Sequence, residues 1–258
     1  MSGAPLLEVE NLTIEIEGRT LVKSLNLTLS TGQSWAVLGR NGVGKSRLIH
    51  TLAGLQKPAT GTIRLAGHLI EKLSRRQIAQ QLGILFQQEA NAFPATVLET
   101  AMSGRFPHMT EWQREKEDDY KRVADALNMV NLQGVEQRRG DTLSGGERRR
   151  LDLGVLLVQD PDLFLLDEPT NHLDLHYQIH LLEQMLQLTK KQNKVLFMVL
   201  HDINLASRFC DHLLLLHDSG NYESGKLEVI MDEVKLSKVY GHPIKRIQSN
   251  NRDYWFPA

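Results

Sequence analysis

Hydrophobic positions near the start of the chain alternate with polar ones, which predicts strands with one buried face. Residues 7–16 and 21–29 both follow this period of two, and Gly18 separates them with a turn signal. Residues 61–66 are predicted to form another strand of the same kind. Together these segments predict a small antiparallel β layer at the beginning of the fold.

A second pattern follows, in which short apolar runs alternate with longer segments of helical spacing. Continuous apolar runs bounded by turn signals are typical of strands covered on both faces. The runs are Ser34–Leu38, Gly83–Phe86, Leu163–Leu166 and Val195–Leu200. Because these strands alternate with helices, we predict an α/β core with a parallel sheet. After Asp211 the pattern returns to short strands, predicted at Leu213–Leu216 and Leu227–Ile230, and a last helix is predicted at Glu233–Tyr240.

The segment 89–142 interrupts the alternation, because it is polar and mostly helical in spacing. A helix is predicted to follow from Leu143 to about Val158, opened by a capping box of Ser144 and Glu147. We therefore predict a single domain over residues 1–258. Residues 1–88 and 159–258 would form the core with its β layer, and residues 89–158 an inserted helical subdomain.

Composition narrows the functional class. The net charge of the 258-residue chain is −1, so no overall field attracts nucleic acid, and we expect no nucleic-acid partner. Cys210 is the single cysteine, which rules out an internal disulfide and suits a reducing compartment. The longest apolar runs are too short to cross a bilayer, so a membrane role would require a partner.

The run at 34–38 leads into a glycine-rich segment that matches the phosphate-binding pattern G-x-x-x-x-G-K-[ST]. Glycines let backbone N–H groups approach a phosphate, and the helix that follows adds the positive end of its dipole. Lys45 is expected to reach the β- and γ-phosphates, and the Ser46 hydroxyl to hold Mg²⁺. The segment consists of Gly39, Arg40, Asn41, Gly42, Val43, Gly44, Lys45 and Ser46.

Two carboxylates, Asp167 and Glu168, directly follow the apolar run at 163–166. Asp167 is expected to help hold Mg²⁺, and Glu168 to orient or deprotonate an attacking water. Alone, the pair could simply cap a turn before Pro169. The phosphate-binding segment upstream favours the catalytic interpretation.

The segment Leu143-Ser144-Gly145-Gly146-Glu147 resembles the signature motif of ABC-type ATPases. Gln87, Asn171–Asp174 and His201 complete the family's motif set in the family's order, and the resemblance covers nearly the whole chain. It implies the ABC ATPase fold, an α/β P-loop core with an antiparallel β layer and an inserted helical subdomain. It also implies ATP and Mg²⁺ as ligands.

The resemblance assigns a role to each matching residue. Gln87 is similar to the Q-loop glutamine, which senses Mg²⁺ and water and links the site to a membrane partner. His201 resembles the switch histidine that touches the γ-phosphate, and Glu168 the catalytic base. Asp174 resembles the D-loop acid at the dimer interface.

The signature residues Ser144, Gly145 and Gly146 are expected to contact ATP bound to a second copy of the chain. Glycines at a helix N-terminus form an anion site, and the chain has one such segment and one P-loop. Two half-sites that complete each other imply a head-to-tail homodimer. One family feature is absent, an aromatic residue that stacks on adenine; the closest position is Ile16, which leaves the stacking residue open.

Residues 104–108, Gly-Arg-Phe-Pro-His, are similar to a segment of importer ATPase subunits for iron-siderophore, haem and cobalamin. That branch implies a peripheral protein at the cytoplasmic face of the bacterial inner membrane. Its partners would be integral-membrane permease subunits and, indirectly, a periplasmic or surface substrate-binding protein. Two alternatives stay open: a soluble ABC ATPase of iron–sulfur cluster assembly, and a nucleic-acid-associated ABC ATPase.

The segment 88–108 is expected to form the permease-docking groove, because it follows Gln87 and mixes apolar with basic residues. Its expected surface residues are Phe93, Pro94, Val97, Leu98, Arg105, Phe106 and His108.

Two basic patterns nearby receive a plain structural interpretation. His172, His176 and His180 are spaced four apart, but we do not expect a metal site, since His172 falls before the predicted helix. Arg148–Arg150 are expected to pack at the subdomain boundary.

Overall fold

The computed structural model describes residues 3–87, 94–110, 115–250 and 252–258. Its strands are β1 Pro5–Ile16, β2 Arg19–Ser30, β3 Ser34–Leu38, β4 Thr60–Leu65, β5 His68–Leu69, β6 Leu82–Leu85, β7 Leu163–Asp167, β8 Val195–Val199, β9 His212–Leu216, β10 Tyr222–Lys226, β11 Ile244–Ser249 and β12 Arg252–Pro257. Its α-helices are α1 Lys45–Leu52, α2 Arg75–Gln81, α3 Val97–Met102, α4 Glu117–Met129, α5 Gly145–Gln159, α6 Leu175–Gln192, α7 Ile203–Phe209, α8 Leu227–Ile230 and α9 Glu233–Tyr240.

The central sheet has the strand order β10-β9-β3-β8-β7-β6. Its strands are parallel except for β10, which pairs antiparallel with β9. In the register, Val199 of β8 lies beside both Val37 of β3 and Asp167 of β7. The segments that follow these three strands therefore leave the sheet at one edge, where open α/β sheets bind their ligands.

A second sheet, of order β2-β1-β4-β5, is antiparallel throughout and confirms the predicted β layer. Strands β1 and β2 are joined by Glu17 and Gly18, which have φ values of 48° and 78°. Positive φ at both central positions is the geometry of a type I′ turn, whose twist matches that of a hairpin. The turn brings Ile16 directly opposite Arg19.

The two sheets are held together by side chains that alternate along the central strands. Trp35 and Val37 of β3 face a core shared with the antiparallel sheet. Ala36 and Leu38 face a core shared with the helices. This confirms the prediction that the apolar runs are strands covered on both faces.

Helices α3, α4 and α5 pack against one another on the helical side. Val97, Val123, Leu127 and Leu151 belong to the same hydrophobic core as Phe164 of β7. The helical segment thus shares its hydrophobic core with the sheet. The single domain over residues 1–258 and its internal boundaries at residues 88 and 158 stay predictions, and the first boundary falls at the edge of the undescribed segment 88–93.

The C-terminal part differs from the sequence prediction. Leu227–Ile230 forms helix α8 and not a strand. Its ends are the half-buried Leu227 and the buried Ile230, which are three residues apart and contact the core, while Val229 between them is 63% exposed. That spacing fits one helical turn better than a strand. Strand β10 and the β11–β12 hairpin were not predicted.

The prediction of a permease-docking surface over residues 88–108 is partly wrong. Val97 is fully buried, and the Arg105 guanidinium lies 2.8 Å from the buried Asp119 carboxylate. A buried carboxylate requires a partner, so Arg105 ties the segment 103–108 to α4 and is not free to meet a permease. Phe106 is 65% exposed, Pro94 is exposed, and Phe93 lies outside the described residues. Within the described ranges, none of the helices has the length and apolarity that a bilayer span needs.

Candidate nucleotide-binding site

A cavity of about 820 Å³ opens at the edge where β3, β7 and β8 end. The predicted residues that line it are Asn41, Gly42, Gly44, Lys45, Ser46, Gln87, Glu168 and His201. Ile16, the position closest to the family's adenine-stacking residue, also lines the cavity. The lining residues that the sequence did not single out as site residues are Glu17, Arg19, Leu21 and Arg47. Residues from distant parts of the chain therefore meet at the glycine-rich segment.

The backbone of residues 39–46 requires its glycines. Gly42 and Gly44 have φ values of 75° and 113°, which other residues rarely adopt. A side chain at Gly44 would also lie 3.0 Å from Leu21 Cβ. Gly44 caps α1 without any side-chain hydrogen bond, so the first N–H groups of the helix are available to an anion.

Lys45 is buried within this loop. Its Nζ donates to the carbonyl oxygens of Gly39 at 2.8 Å and Arg40 at 3.0 Å. Burial lowers the pKa of the ammonium group, while the charges of Glu168 and Asp167 raise it. The ammonium group is therefore fixed at the loop, close to both carboxylates.

Asp167 is fully buried at the end of β7. Among the described residues, neither carboxylate oxygen has a hydrogen-bond partner. Burial raises the pKa of Asp167, whereas the Ser46 hydroxyl, which lies close to the carboxylate but outside hydrogen-bond distance, acts in the opposite direction. A buried carboxylate without donors is unfavourable by itself and becomes favourable beside a cation.

Glu168 is surrounded by donors instead. Its Oε1 lies 2.5 Å from His201 Nε2, and its Oε2 accepts hydrogen bonds from Gln87 Nε2 at 3.1 Å and from the Asn171 side-chain amide. Its φ of 52° is unusual for a residue before proline and holds the carboxylate toward the cavity. The sequence indicated Asn171 only as part of the Asn171–Asp174 motif and did not predict its contact with Glu168. Sequence spacing does not show which side chains turn back onto this carboxylate.

Arg149 of α5 fixes the backbone beneath these carboxylates. The guanidinium group is buried and donates to the carbonyl oxygens of Phe86 at 2.6 Å, Asp167 at 2.5 Å and Glu168 at 2.7 Å. Burial lowers the pKa of Arg149, and the nearby carboxylates of Asp152, Asp167 and Glu168 oppose this. Of the arginines 148–150, which were predicted to pack at the subdomain boundary, Arg149 does so by binding three backbone carbonyl oxygens.

The signature residues lie elsewhere. Ser144 accepts a hydrogen bond from the Glu147 backbone in the predicted capping box, and both Ser144 and Gly145 are exposed. Asp174 caps α6 by accepting from the Tyr177 backbone at 3.0 Å. Residues 144–146 and Asp174 do not line the cavity, and their predicted contacts with a second copy stay predictions.

The three histidines spaced four apart, His172, His176 and His180, do not come together at one point. Helix α6 begins at Leu175, so His172 lies before it, with a φ of 63°. His176 and His180 stack with ring centroids 6.3 Å apart. In the part of the chain that the structure describes, no three His, Cys, Asp or Glu side chains are grouped to hold a metal ion.

Comparison with known proteins decides the family. The model of the ABC transporter family matches residues 22–171, more than half of the chain. The chain belongs to the ABC transporter family. It is the ATP-binding component of this family and therefore an ATPase.

The ABC transporter chain is similar to two import proteins over nearly its whole length. It is 36% identical to the petrobactin import ATP-binding protein FpuD of Bacillus anthracis, over 91% of this chain and 86% of that protein. It is 32% identical to the hemin import ATP-binding protein HmuV of Escherichia coli O157:H7, over 93% of each. Among solved structures, an inward-facing metal-chelate type ABC transporter superposes with a TM-score of 0.85 at 28% identity, covering 99% of this chain and 98% of that one.

Proposed function

We propose that this chain is the ATP-hydrolysing subunit of a bacterial importer for an iron-siderophore, haem or related metal-chelate ligand. The observation that carries the chemistry is the Glu168 carboxylate, held by His201 and Gln87 in the same cavity as Lys45. The similarity to petrobactin and hemin import proteins supports the class of ligand. It favours an importer over a soluble ATPase of iron–sulfur cluster assembly.

Binding begins at the glycine-rich loop. The free N–H groups at the start of α1 and the Lys45 ammonium group would hold the β- and γ-phosphates of ATP. Lys45 would exchange its present carbonyl partners for phosphate oxygens. This fixes the γ-phosphate at the end of the cavity that contains Glu168.

Hydrolysis would use Glu168 as the acceptor of a proton from the attacking water. Its contacts with His201, Gln87 and Asn171 hold the carboxylate in one orientation. His201 Nε2 is a donor in its contact with Glu168, because an ionised carboxylate only accepts. The same N–H would be available to a γ-phosphate oxygen.

The residues fit a Mg²⁺ ion. Asp167 offers two buried oxygens without donors, and Ser46 and Gln87 add a hydroxyl and an amide oxygen nearby. Such hard oxygen donors suit Mg²⁺, which when bound neutralises charge on the β- and γ-phosphates. Asp167, Ser46 and Gln87 are therefore proposed as its protein ligands, directly or through water.

We further propose that two copies complete the active site. The exposed Ser144 and Gly145 at the start of α5 are outside the cavity of their own chain. A signature segment from a second copy would close the cavity from the open side and contact the γ-phosphate. A closed cavity excludes water and strengthens the contacts within it.

The permease would meet the surface near residues 94–110. Phe106 is a large apolar side chain that is 65% exposed, and it is held there by the Arg105–Asp119 ion pair beneath it. An isolated exposed apolar residue on a fixed turn suits the groove side of a helix-in-groove contact. The chain would then work at the cytoplasmic face of the membrane, with a substrate-binding protein acting only through the permease.

This proposal is tested by Phe106→Asp. Co-purification with the importer's permease subunits, and uptake of ferric siderophore or haem, should both fall at least tenfold, since a charge would be buried at the contact. Basal ATP binding should be unchanged because Phe106 is not in the cavity. Val234→Asp is the matched control, since Val234 is 75% exposed on α9, away from this surface.

Two outcomes would contradict the proposal. If Phe106→Asp co-purifies and supports uptake like Val234→Asp, the docking surface lies elsewhere. If the wild-type chain co-purifies with soluble assembly factors and with no permease, the iron–sulfur alternative replaces the importer.

A further inference from the structure

One wall of the cavity takes no part in the chemistry proposed for the phosphates. It is formed by the tip of the β1–β2 hairpin, which contributes Ile16, Glu17 and Arg19. In the proposed function, Lys45 and the free N–H groups at the start of α1 would hold the triphosphate at the other side of the cavity. The nucleoside of ATP must therefore extend toward the hairpin tip, so the tip is where the base would be recognised.

The hairpin tip is firmly connected to the phosphate-binding loop. Leu21 is two residues after Arg19 on β2, and both line the cavity. Leu21 packs so closely on Gly44 that a side chain there would lie 3.0 Å from Leu21 Cβ. Across the turn, Ile16 pairs directly with Arg19. The distance between the phosphate end and the tip is therefore set by the fold.

Arg19 is an unpaired cation on this wall. Its guanidinium group has no hydrogen bond or ion pair with any described residue, and its side chain is exposed. Arg40 pairs with Asp218 at 3.3 Å and Lys45 binds two carbonyl oxygens. Arg47 also lines the cavity without a side-chain partner among the described residues, but it belongs to α1 at the phosphate end and not to the hairpin wall. The described lining of the cavity contains no phenylalanine, tyrosine or tryptophan.

We propose that Arg19 is the base-recognition residue of this chain and that it stacks its planar guanidinium group on the purine ring of ATP. A guanidinium plane is weakly hydrated and stacks on π-systems, which an ammonium group does not do in the same way. Ile16, directly opposite, supplies an apolar contact for the edge of the base or the ribose. This inference rests on the proposed function, because it requires that ATP phosphates occupy the loop.

The test compares ATP with inorganic triphosphate, which has the phosphates but no base. Isothermal titration of the full chain should show that Arg19→Ala weakens ATP binding about tenfold and leaves triphosphate binding unchanged. Arg19→Lys should behave like Arg19→Ala, because it keeps the charge and loses the plane. Arg19→Tyr should restore ATP affinity, since an aromatic ring also stacks on a base.

Lys23→Ala is the matched control. Lys23 is an exposed cation on the same strand that does not line the cavity, so its removal should change neither affinity. Arg19 lies at the strand end and is exposed, and thermal unfolding of its variants should match that of the wild type.

The outcomes separate this inference from the proposed function. If Arg19→Ala weakens ATP and triphosphate equally, Arg19 binds phosphate and the inference is wrong. If it changes neither, or if Arg19→Lys keeps full ATP affinity, the base is recognised without stacking on Arg19 and the inference is again wrong. If the wild-type chain binds no ATP, the proposed function itself fails.

Discussion

The carboxylates of two adjacent residues, Asp167 and Glu168, lie in very different surroundings. Asp167 ends β7 inside the protein, and its carboxylate oxygens have no donor among the described residues. Glu168 turns outward with a positive φ and accepts contacts from His201, Gln87 and Asn171. The first surrounding suits a cation and the second a fixed proton acceptor, which is the division of labour that we propose.

A stability prediction follows for Asp167. Burial raises its pKa in the folded protein, so the folded state holds the proton more tightly than the unfolded state. The associated stability is present below the unfolded pKa and is lost as pH rises through the folded pKa. At neutral pH without Mg²⁺, Asp167→Asn should therefore unfold at a higher temperature than the wild type.

The measurement is thermal unfolding from about pH 4, the ordinary pKa of an aspartate, up to pH 8, with and without Mg²⁺ and ATP. The gain in unfolding temperature of Asp167→Asn over the wild type should grow as pH rises from the unfolded toward the folded pKa, and Mg²⁺ should stabilise only the wild type. Asp162→Asn is the control: Asp162 is an exposed acid just before the same strand that pairs with Lys194 at 3.2 Å, so its loss should not stabilise the protein as pH rises. An Asp167→Asn protein that is less stable than the wild type at every pH would refute the description of Asp167 as an unpaired buried carboxylate.

At the scale of elements, helix α5 connects the signature segment at its start to the end of β7, where Asp167 and Glu168 lie. Five residues after Ser144, Arg149 binds the backbone at the end of β7 and the carbonyl oxygen of Phe86 just before Gln87. A movement of Ser144 by a second copy would thus reach Glu168 and Gln87 through one helix. The unusual backbone of Glu168 is held by the same guanidinium group.

Arg149→Ala should therefore destabilise the protein by about 2 kcal/mol or more, because the carbonyl oxygens of Phe86 and Asp167 lose a donor and each buried acceptor left unpaired costs about 1–3 kcal/mol. The Glu168 carbonyl oxygen keeps the Asn171 backbone N–H. Arg150→Ala is the matched control. Arg150 contacts the Tyr177 ring at 4.3 Å, and its loss should cost about 1 kcal/mol or less. Urea unfolding of both variants checks this, and equal midpoints would show that Arg149 does not support the strand end.

Much of the element order was predictable because it depends on local patterns. The apolar runs placed β3, β7 and β8, and the capping box placed the start of α5. The sequence could not predict contacts between distant segments. Arg105 was expected on the surface because nothing in the sequence shows that its partner Asp119 is buried. Asp119 lies in the charge-rich segment 115–122, and no spacing or motif distinguishes it from its exposed neighbours.

The C-terminal hairpin β11–β12 was missed for a related reason. Its strands have few buried residues, so the alternation that marks half-buried strands is weak. The hairpin is held by Trp255, whose backbone exchanges hydrogen bonds with the Asn204 side chain of α7. Such a tertiary contact does not show in the sequence of either segment.

At the scale of the molecule, we propose that one chain assembles only part of an ATPase site. Gln87, Glu168 and His201 meet the glycine-rich loop, whereas Ser144 and Gly145 of the signature segment are exposed outside the cavity. This is the arrangement expected of two half-sites. ATP would be held between two copies, and hydrolysis by Glu168 would release them.

The most direct test of this account is sedimentation velocity of Glu168→Gln with and without Mg-ATP. The amide is nearly isosteric with the carboxylate but is not a base, so ATP should bind and persist. We predict a monomer without nucleotide or with ADP and a dimer with ATP, and Lys45→Ala in the same background should stay monomeric. A Glu168→Gln protein that binds ATP and remains a monomer at saturating ATP would contradict the composite site, and one that hydrolyses ATP at the wild-type rate would contradict the role of Glu168.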